Sequence, residues 1–388
     1  MNDNDSPAPD WLTAEQALAR LGVARQTLYA YVSRGLIRVR PAPDDPRRSL
    51  YDPNAIDTLL ERRRLGRARQ AVAKSTIDFG EPVLTSRITQ IADGALWYRG
   101  HDALRLARTA TLEEVAALLW NAPRVPHLPP SAYAPVGDGK PMARAMPHIA
   151  HLAASEGWAS GGTALIEDAA LCLRAMAEAL ADRRADLPLH RMLGRTWNLD
   201  EDGTDLIRRA LVLCADHELN ASAFAVRVVA STGAALPHCL LAGLAALSGP
   251  LHGGMTDRVR AMLAEPHMMT DPRTAIHARL ARGEDLPGFG HRLYPDGDPR
   301  ASMLMDGIGP DPRWRGLCAT ILALTGLRPN IDAALVALGQ HLDLPDGAPL
   351  AIFALGRTAG WIAHALEQRG DGQLIRPRAR YDGPPPRA

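Results

Sequence analysis

Two histidines are delivered by turns built from glycine and proline. Ser248-Gly-Pro-Leu-His-Gly-Gly254 presents His252, and Leu286-Pro-Gly-Phe-Gly-His-Arg292 presents His291. Glycine allows close approach of backbone to a ligand and proline stops a helix, so each stretch reads as a helix end or loop that places an imidazole. Taken alone, each is equally an ordinary turn that happens to carry a histidine. Their company is more informative. His217 and Asn220 stand three apart in Asp216-His-Glu-Leu-Asn-Ala-Ser222, on one helical face or at a helix junction. Asp332 falls in the first turn of a helix opened by Pro329-Asn-Ile-Asp332. Arg300 follows Asp298-Pro, Arg357 interrupts an apolar helix, and Arg376 lies in the basic tail from Leu374 to Tyr381. Each has a bland reading: a macrodipole partner for Asp332, a core histidine at 217, a local ion pair for Arg357, a solvated terminus. Jointly they suit proton transfer at carbon on an anionic substrate. Guanidinium forks bind carboxylates in bidentate fashion, and a carboxylate serves as base where fixed donors stabilise the enolate it makes.

These groups need a scaffold, and the pattern predicts an almost wholly helical one. Ala/Leu-rich runs at helical spacing recur at 164–183, 204–216, 222–235, 238–247, 254–264, 314–325, 330–342 and 350–368. From Val228 to Thr256 there is no Asp, Glu, Lys or Arg. A membrane span is one reading of that stretch, but Gly233, Pro237, Gly249 and Pro250 interrupt it, and two buried helices meeting at a turn fit better. Strand signals are few: Asp93-Gly94 marks a hairpin within Ile91–Gly100. Thr111-Leu-Glu-Glu114 is a capping box for a helix reaching Trp120, where Asn121 and Pro123 end it. Residues 122–150, rich in proline, are expected to be loop with a short helix. The body is all-α.

The chain has 388 residues with a net charge of +1, which gives no global attraction to nucleic acid or membrane. Residues 11–75 nevertheless carry a net +7, against −6 for the remainder. Helical periodicity over Trp11–Arg20 and Arg25–Arg34, a short turn at Leu21–Ala24, and a hairpin from 36–40 and 48–51 describe a small module of helix, turn, helix and wing. An Arg/Ala-rich helix over 59–74 leads out of it. Residues 1–10 read as a disordered lead that is too acidic for a signal peptide. Cys172, Cys214, Cys239 and Cys318 are widely spaced in apolar contexts, as expected for buried thiols in a reducing, cytoplasmic setting.

HELNASAFAVRVVAST, LSGPLHGG, GFGHRLYPDGDPRA, PNIDAAL and LIRPRARYDGP, in this order, resemble the citrate synthase family, as does the upstream ITQIADGALWYRGHD…TLEEVAALLW. The resemblance runs from about Glu81 to about Pro384. It implies a homodimer of α-helical subunits, with a large domain (76–253 and 346–388), a small domain (254–345) and a cleft between them. It implies that Asp332 removes a methyl proton from acetyl-CoA, that His252 donates to the thioester oxygen, and that His291 protonates the oxaloacetate carbonyl. His217, Asn220, Arg300 and Arg357 would hold oxaloacetate, with Arg376 donated across the dimer. Leu286, Pro287, Gly288, Phe289, Gly290 and Arg292 would cradle CoA. No metal or other cofactor is implied. Two departures stand out: Met255-Thr-Asp257 where the family usually has Ala-Asn-Glu, and Pro295 where it often has a cation suited to CoA phosphate.

The module at 11–75, quoted as LTAEQALARLGVARQTLYAYVSRGLI…RRSLYDPNAIDTLL, resembles the MerR/excisionase-like winged helix-turn-helix. That resemblance implies DNA contacts from Arg25, Gln26, Tyr29 and Arg34 on the second helix and from Arg47 and Arg48 on the wing. Two alternative functions follow: a 2-methylcitrate synthase using propionyl-CoA, and a DNA-binding regulator whose synthase-like body senses metabolites.

Overall fold

The computed structural model describes residues 11–33, 36–42, 45, 48–60, 84–132 and 139–384. The chain forms two compact units that meet in sequence at Thr85/Ser86.

In the first unit, Thr13 caps α1 (Ala14–Leu21) in a reciprocal capping box with Gln16. Thr13 is the N-cap that the sequence offers for this helix, and Leu12 before it bridges to Tyr51. Gly22 ends α1 in the left-handed conformation, with φ at 61°. Helix α2 (Arg25–Ser33) follows, then the antiparallel pair β1 (Val39–Pro41) and β2 (Ser49–Tyr51), then a helical run α3 over 53–60. Ala17, Leu21, Leu28, Ile37, Tyr51 and Ile56 form its core. Arg34, Arg47 and the predicted helix beyond residue 60 lie outside the described residues.

The second unit opens with β3 (Thr89–Ala92), β4 (Ala95–Tyr98) and β5 (His101–Asp102), an antiparallel sheet. The first turn is Asp93-Gly94 with positive φ at both residues, the twist-compatible hairpin geometry. Helices α4 (Ala103–Thr109), α5 (Leu112–Trp120), α6 (Pro141–Ala153) and α7 (Gly162–Ala181) follow. The capping box at Thr111 and the left-handed stop at Asn121 are both formed. A 13-residue α6 replaces the expected short helix, because Pro141 occupies the first helical position, where its missing N–H costs nothing. After α8 (Leu189–Thr196) and α9 (Glu201–Leu213), the chargeless stretch becomes the end of α10 (Ala221–Ala230), α11 (Leu236–Leu247) and the start of α12 (Met255–Leu263). No helix among the described residues is long and apolar enough to cross a membrane.

The chain closes with α13 (Pro272–Ala281), α14 (Pro299–Ile308), α15 (Pro312–Thr325), α16 (Ile331–His341) and α17 (Ala348–Asp371). α17 is buried around nearly its whole circumference and packs against α5, α7, α9, α10, α11 and α16. A helix apolar on every side belongs at the centre of a core, and α17 takes that place. A smaller core gathers Val259, Met262, Ile276, Phe289, Trp314, Leu317 and Ala333. Helix α16 serves both cores, Ile331 and Leu335 facing the larger and Ala333 and Val336 the smaller.

Candidate active site

The non-helical junction between α9 and α10 carries His217. Asn220 is the N-cap of α10, its Oδ1 accepting from the backbone of Ser222 and Ala223, each at 3.1 Å. Glu218 adopts φ of 51°, unfavourable for a residue with a side chain, and its carboxylate is tied to Ile91 N at 2.9 Å. His217 is thereby turned inward, where its Nε2 meets Tyr294 Oη at 3.1 Å. Its ring stands edge-on to His291, centroids 5.1 Å apart, and Tyr294 lies 5.0 Å from His291. Burial, then the charges of Arg300 and Arg357, hold His217 well below the ordinary imidazole range, so it is neutral at pH 7.

His291 has an assignable tautomer. Leu293 N donates to its Nδ1 at 3.1 Å, which leaves the single proton of the neutral ring on Nε2. Burial, assisted by Arg300, lowers its pKa to about 4. His252 is lowered to about 4 by burial and then by Arg357. Its Nε2 lies 2.8 Å from Ser222 Oγ, and that oxygen also accepts from Trp361 Nε1 at 3.0 Å. Ser222 and Trp361 therefore orient the His252 ring. Serine in an Ala-rich helix start carries no signal of its own in the sequence.

Asp298 and Arg300 form a buried bidentate pair, with Nε to Oδ1 at 2.9 Å and Nη2 to Oδ2 at 2.8 Å. Asp298 Oδ2 also accepts from Ile331 N at 3.0 Å and so joins the start of α14 to the start of α16. Next along α16 is Asp332, whose backbone N donates to the N-cap Asn330 at 3.0 Å. Burial raises the Asp332 carboxyl to about 6; Arg300 and Arg357 oppose that rise and Asp298 adds to it. Arg357 is buried on α17, donates Nε to Cys214 O at 3.0 Å, and stacks on Phe353 at 4.7 Å. Among the described residues it has no carboxylate within ion-pair distance. Its foremost charge partner is the buried Asp216 carboxylate, which lies outside ion-pair distance, so an anion in the cleft would add to its neutralisation.

The loop predicted to cradle CoA is internally braced. Leu286, Pro287, Gly288 and Phe289 are buried, with Leu286 and Phe289 in the smaller core. Gly290 N donates to Arg328 O at 2.7 Å and Asn330 N to Gly288 O at 2.9 Å, so the loop is fastened to the approach to Asp332. Gly288 has φ of 83°, and a Cβ there would lie 2.6 Å from Val259. What this loop offers a ligand is backbone. Beside it is a cavity of about 370 Å³ lined by His291, Arg292, Pro295 and Arg328, among others. Arg328 escaped the sequence reading because nothing marks it apart from other exposed arginines. Of the two departures, Thr256 is a buried residue of α12 and Asp257 is exposed in its first turn, a favourable place for an acid.

Arg376 lies apart from this cluster, exposed on the extended segment after α17, near exposed Leu374 and Tyr381. In the first unit, Arg25, Gln26 and Tyr29 are exposed on α2 while Leu28 is fully buried, and Arg48 is exposed beside β2.

The citrate synthase C-terminal domain family matches residues 164–378. Citrate synthase 2 of Bacillus subtilis is 31% identical over 356 residues, covering 79% of this chain and 95% of its own length. The citrate/2-methylcitrate synthase of the same organism is 35% identical over 207 residues, 50% of this chain and 55% of its own length. The crystal structure of citrate synthase from Thermotoga maritima superposes with a TM-score of 0.63 at 26% identity, covering 79% of this chain and 94% of that one. With its all-α architecture and a family match over more than half its length, the chain belongs to the citrate synthase family.

Proposed function

We propose that this site condenses acetyl-CoA with oxaloacetate and hydrolyses the resulting citryl-CoA to citrate and CoA. The observation that carries the reading is the gathering of a raised carboxylate, Asp332, two neutral imidazoles and a buried guanidinium, Arg357, with no carboxylate at ion-pair distance among the described residues. Asp332, ionised at pH 7, takes a proton from the thioester methyl. His252 donates to the thioester oxygen as negative charge develops there, its ring held by Ser222 Oγ, 2.8 Å from Nε2. The enolate carbon then attacks the ketone carbon of oxaloacetate, and His291 Nε2–H hydrogen-bonds and protonates the ketone oxygen. His217, Arg300 and Arg357 hold the carboxylates. Asn220 supports them as the cap that fixes the junction. Water cleaves the thioester to release CoA. A thiol-release assay with acetyl-CoA and oxaloacetate tests this: CoA release no greater than that of Asp332→Asn would sink it.

The pH dependence follows from the carboxylate. Asp332 acts as base only when ionised, so kcat/KM should fall about tenfold per pH unit below about 6. The two imidazoles, lowered to about 4, stay neutral above that limb and add no inflection between pH 5 and 8. A rate profile from pH 4.5 to 8.5 checks both statements.

Arg292 and Arg328 offer guanidinium groups to CoA phosphate where Pro295 cannot. Arg328→Ala should raise KM for acetyl-CoA by roughly tenfold, the loss of one charge-assisted contact, and leave KM for acetyl-pantetheine unchanged. Propionyl-CoA is the second acyl donor to test. One added methylene is worth only about 1–3 kcal/mol of pocket fit, and a relative is named for both activities. The exposed basic tail with Leu374, Arg376 and Tyr381 favours a homodimer in which Arg376 reaches the partner's substrate. Sedimentation should then give twice the chain mass.

A second reading concerns the first unit alone. The exposed face of α2, with Arg25, Gln26 and Tyr29, supports a winged helix-turn-helix that binds DNA. Titration of duplex DNA at several salt concentrations should give a steep negative salt slope, and a flat slope would reject it.

A further inference from the structure

A buried pair that the reaction scheme does not use lies directly behind His217. Asp216 and His364 are both fully buried, and His364 Nε2 approaches Asp216 Oδ1 at 3.2 Å. The approach is too oblique for a hydrogen bond, so the contact is electrostatic. Burial by itself would push the Asp216 carboxyl up, but His364 and then Arg357 hold it below its ordinary value.

The surroundings show what the pair is for. Arg357 and His364 are seven residues apart on α17 and so share a face. Between them Gly360 N donates to Ala215 O at 3.0 Å. Residues 214, 215 and 216 are thus held in succession by one helix: Cys214 O by Arg357 Nε, Ala215 O by Gly360 N, and the Asp216 carboxylate by His364. The fit is close, since a Cβ on Gly360 would lie 2.3 Å from Asp216 Oδ1 and one on Gly356 2.6 Å from Leu211 O. Tyr98 Oη, from β4, donates to the carbonyls at this corner, including Asp216 O at 3.2 Å. The next residue is His217, followed by Glu218 in its strained conformation. Arg357 therefore touches the proposed substrate and also forms part of the clamp.

We infer that the buried Asp216–His364 contact is a positioning device, which fixes the α9–α10 junction against α17 and so sets His217 relative to Arg357 for binding of a dicarboxylate. The inference rests on His217 being an oxaloacetate ligand. His364 and Asp216 are positioning residues, acting only through their neighbours.

Steady-state kinetics and oxaloacetate calorimetry on Asp216→Asn, His364→Gln and the double variant test it. Each single variant should raise KM and Kd for oxaloacetate by ~10–100-fold, the effect of misplacing one ligand by about an ångström, with KM for acetyl-CoA unchanged. The double variant replaces both buried partners together and remains the folded test species if a single variant fails to fold. It should be no worse than the poorer single variant, because the two residues act as one unit. Folded variants whose oxaloacetate affinity matches wild type overturn the inference, as does a parallel rise in both KM values. Wild-type protein that binds no oxaloacetate would instead overturn the functional reading, and the inference with it.

Discussion

Asp332→Asn should lower kcat by roughly 10³-fold, the range for loss of a general base, and yield a protein that is more stable at pH 7. The two effects share one cause. Burial raises the carboxyl from 3.8 to about 6, so the charge is unfavourable in the native state and more basic for the same reason. A carboxyl whose native pKa lies above its unfolded value favours folding when protonated; that contribution is complete below about pH 4 and is lost as pH rises through about 6. At pH 7 the native state carries the whole penalty, on the order of 2–3 kcal/mol before solvent at the cleft mouth reduces it. A neutral amide of the same shape carries none. Melting curves at pH 7.5 should place the variant above wild type, and curves at pH 4 should bring the two together. Unaltered turnover would remove Asp332 from the chemistry. A variant less stable at pH 7.5 would show that the site stabilises the ionised carboxylate rather than straining it.

The second large effect is structural. Asp298→Ala should cost about 3–5 kcal/mol of unfolding free energy, because it strands Arg300 as a buried charge and leaves Ile331 N without its acceptor. Burial acting alone would raise the Asp298 carboxyl; Arg300 overrides it and keeps the group ionised well into acid. Urea denaturation monitored by tryptophan fluorescence gives the number, with oxaloacetate absent so that ligand linkage does not contribute. The double variant Asp298→Ala with Arg300→Met should recover part of the loss, since it removes the stranded charge but still leaves Ile331 N without its acceptor. It should not recover oxaloacetate binding. Recovery of binding would show that Arg300 is a scaffold residue only.

Much of the fold was legible because its signals are local. Capping boxes at Thr13 and Thr111, the Asp93-Gly94 hairpin turn and the left-handed stops at Gly22 and Asn121 are written in adjacent residues. The Ala/Leu periodicity of α7, α9 to α12 and α15 to α17 is likewise a property of each segment. Helices that begin with proline were harder to read. α6, α13 and α14 open on Pro141, Pro272 and Pro299, a residue that marks a break in one context and a helix start in another.

For the site, the sequence by itself determined which residue types stand in which turns. His252 and His291 between glycines, Asp332 at a helix start and Arg357 in an apolar helix are fixed by the chain. Tertiary structure alone decided their chemical states, because pKa, tautomer and pairing depend on neighbours remote in sequence. Asp332 is raised by burial, and Arg357 is turned by α17 onto a carbonyl, Cys214 O, rather than into an ion pair. Trp361 and His364 carry no motif, and Ser222, Tyr294 and Asp216 stand inside quoted motifs without a role that the sequence reveals. They matter through contacts spanning 30 to 148 residues of chain, such as Ser222 to His252 and Asp216 to His364, which only folding brings within reach.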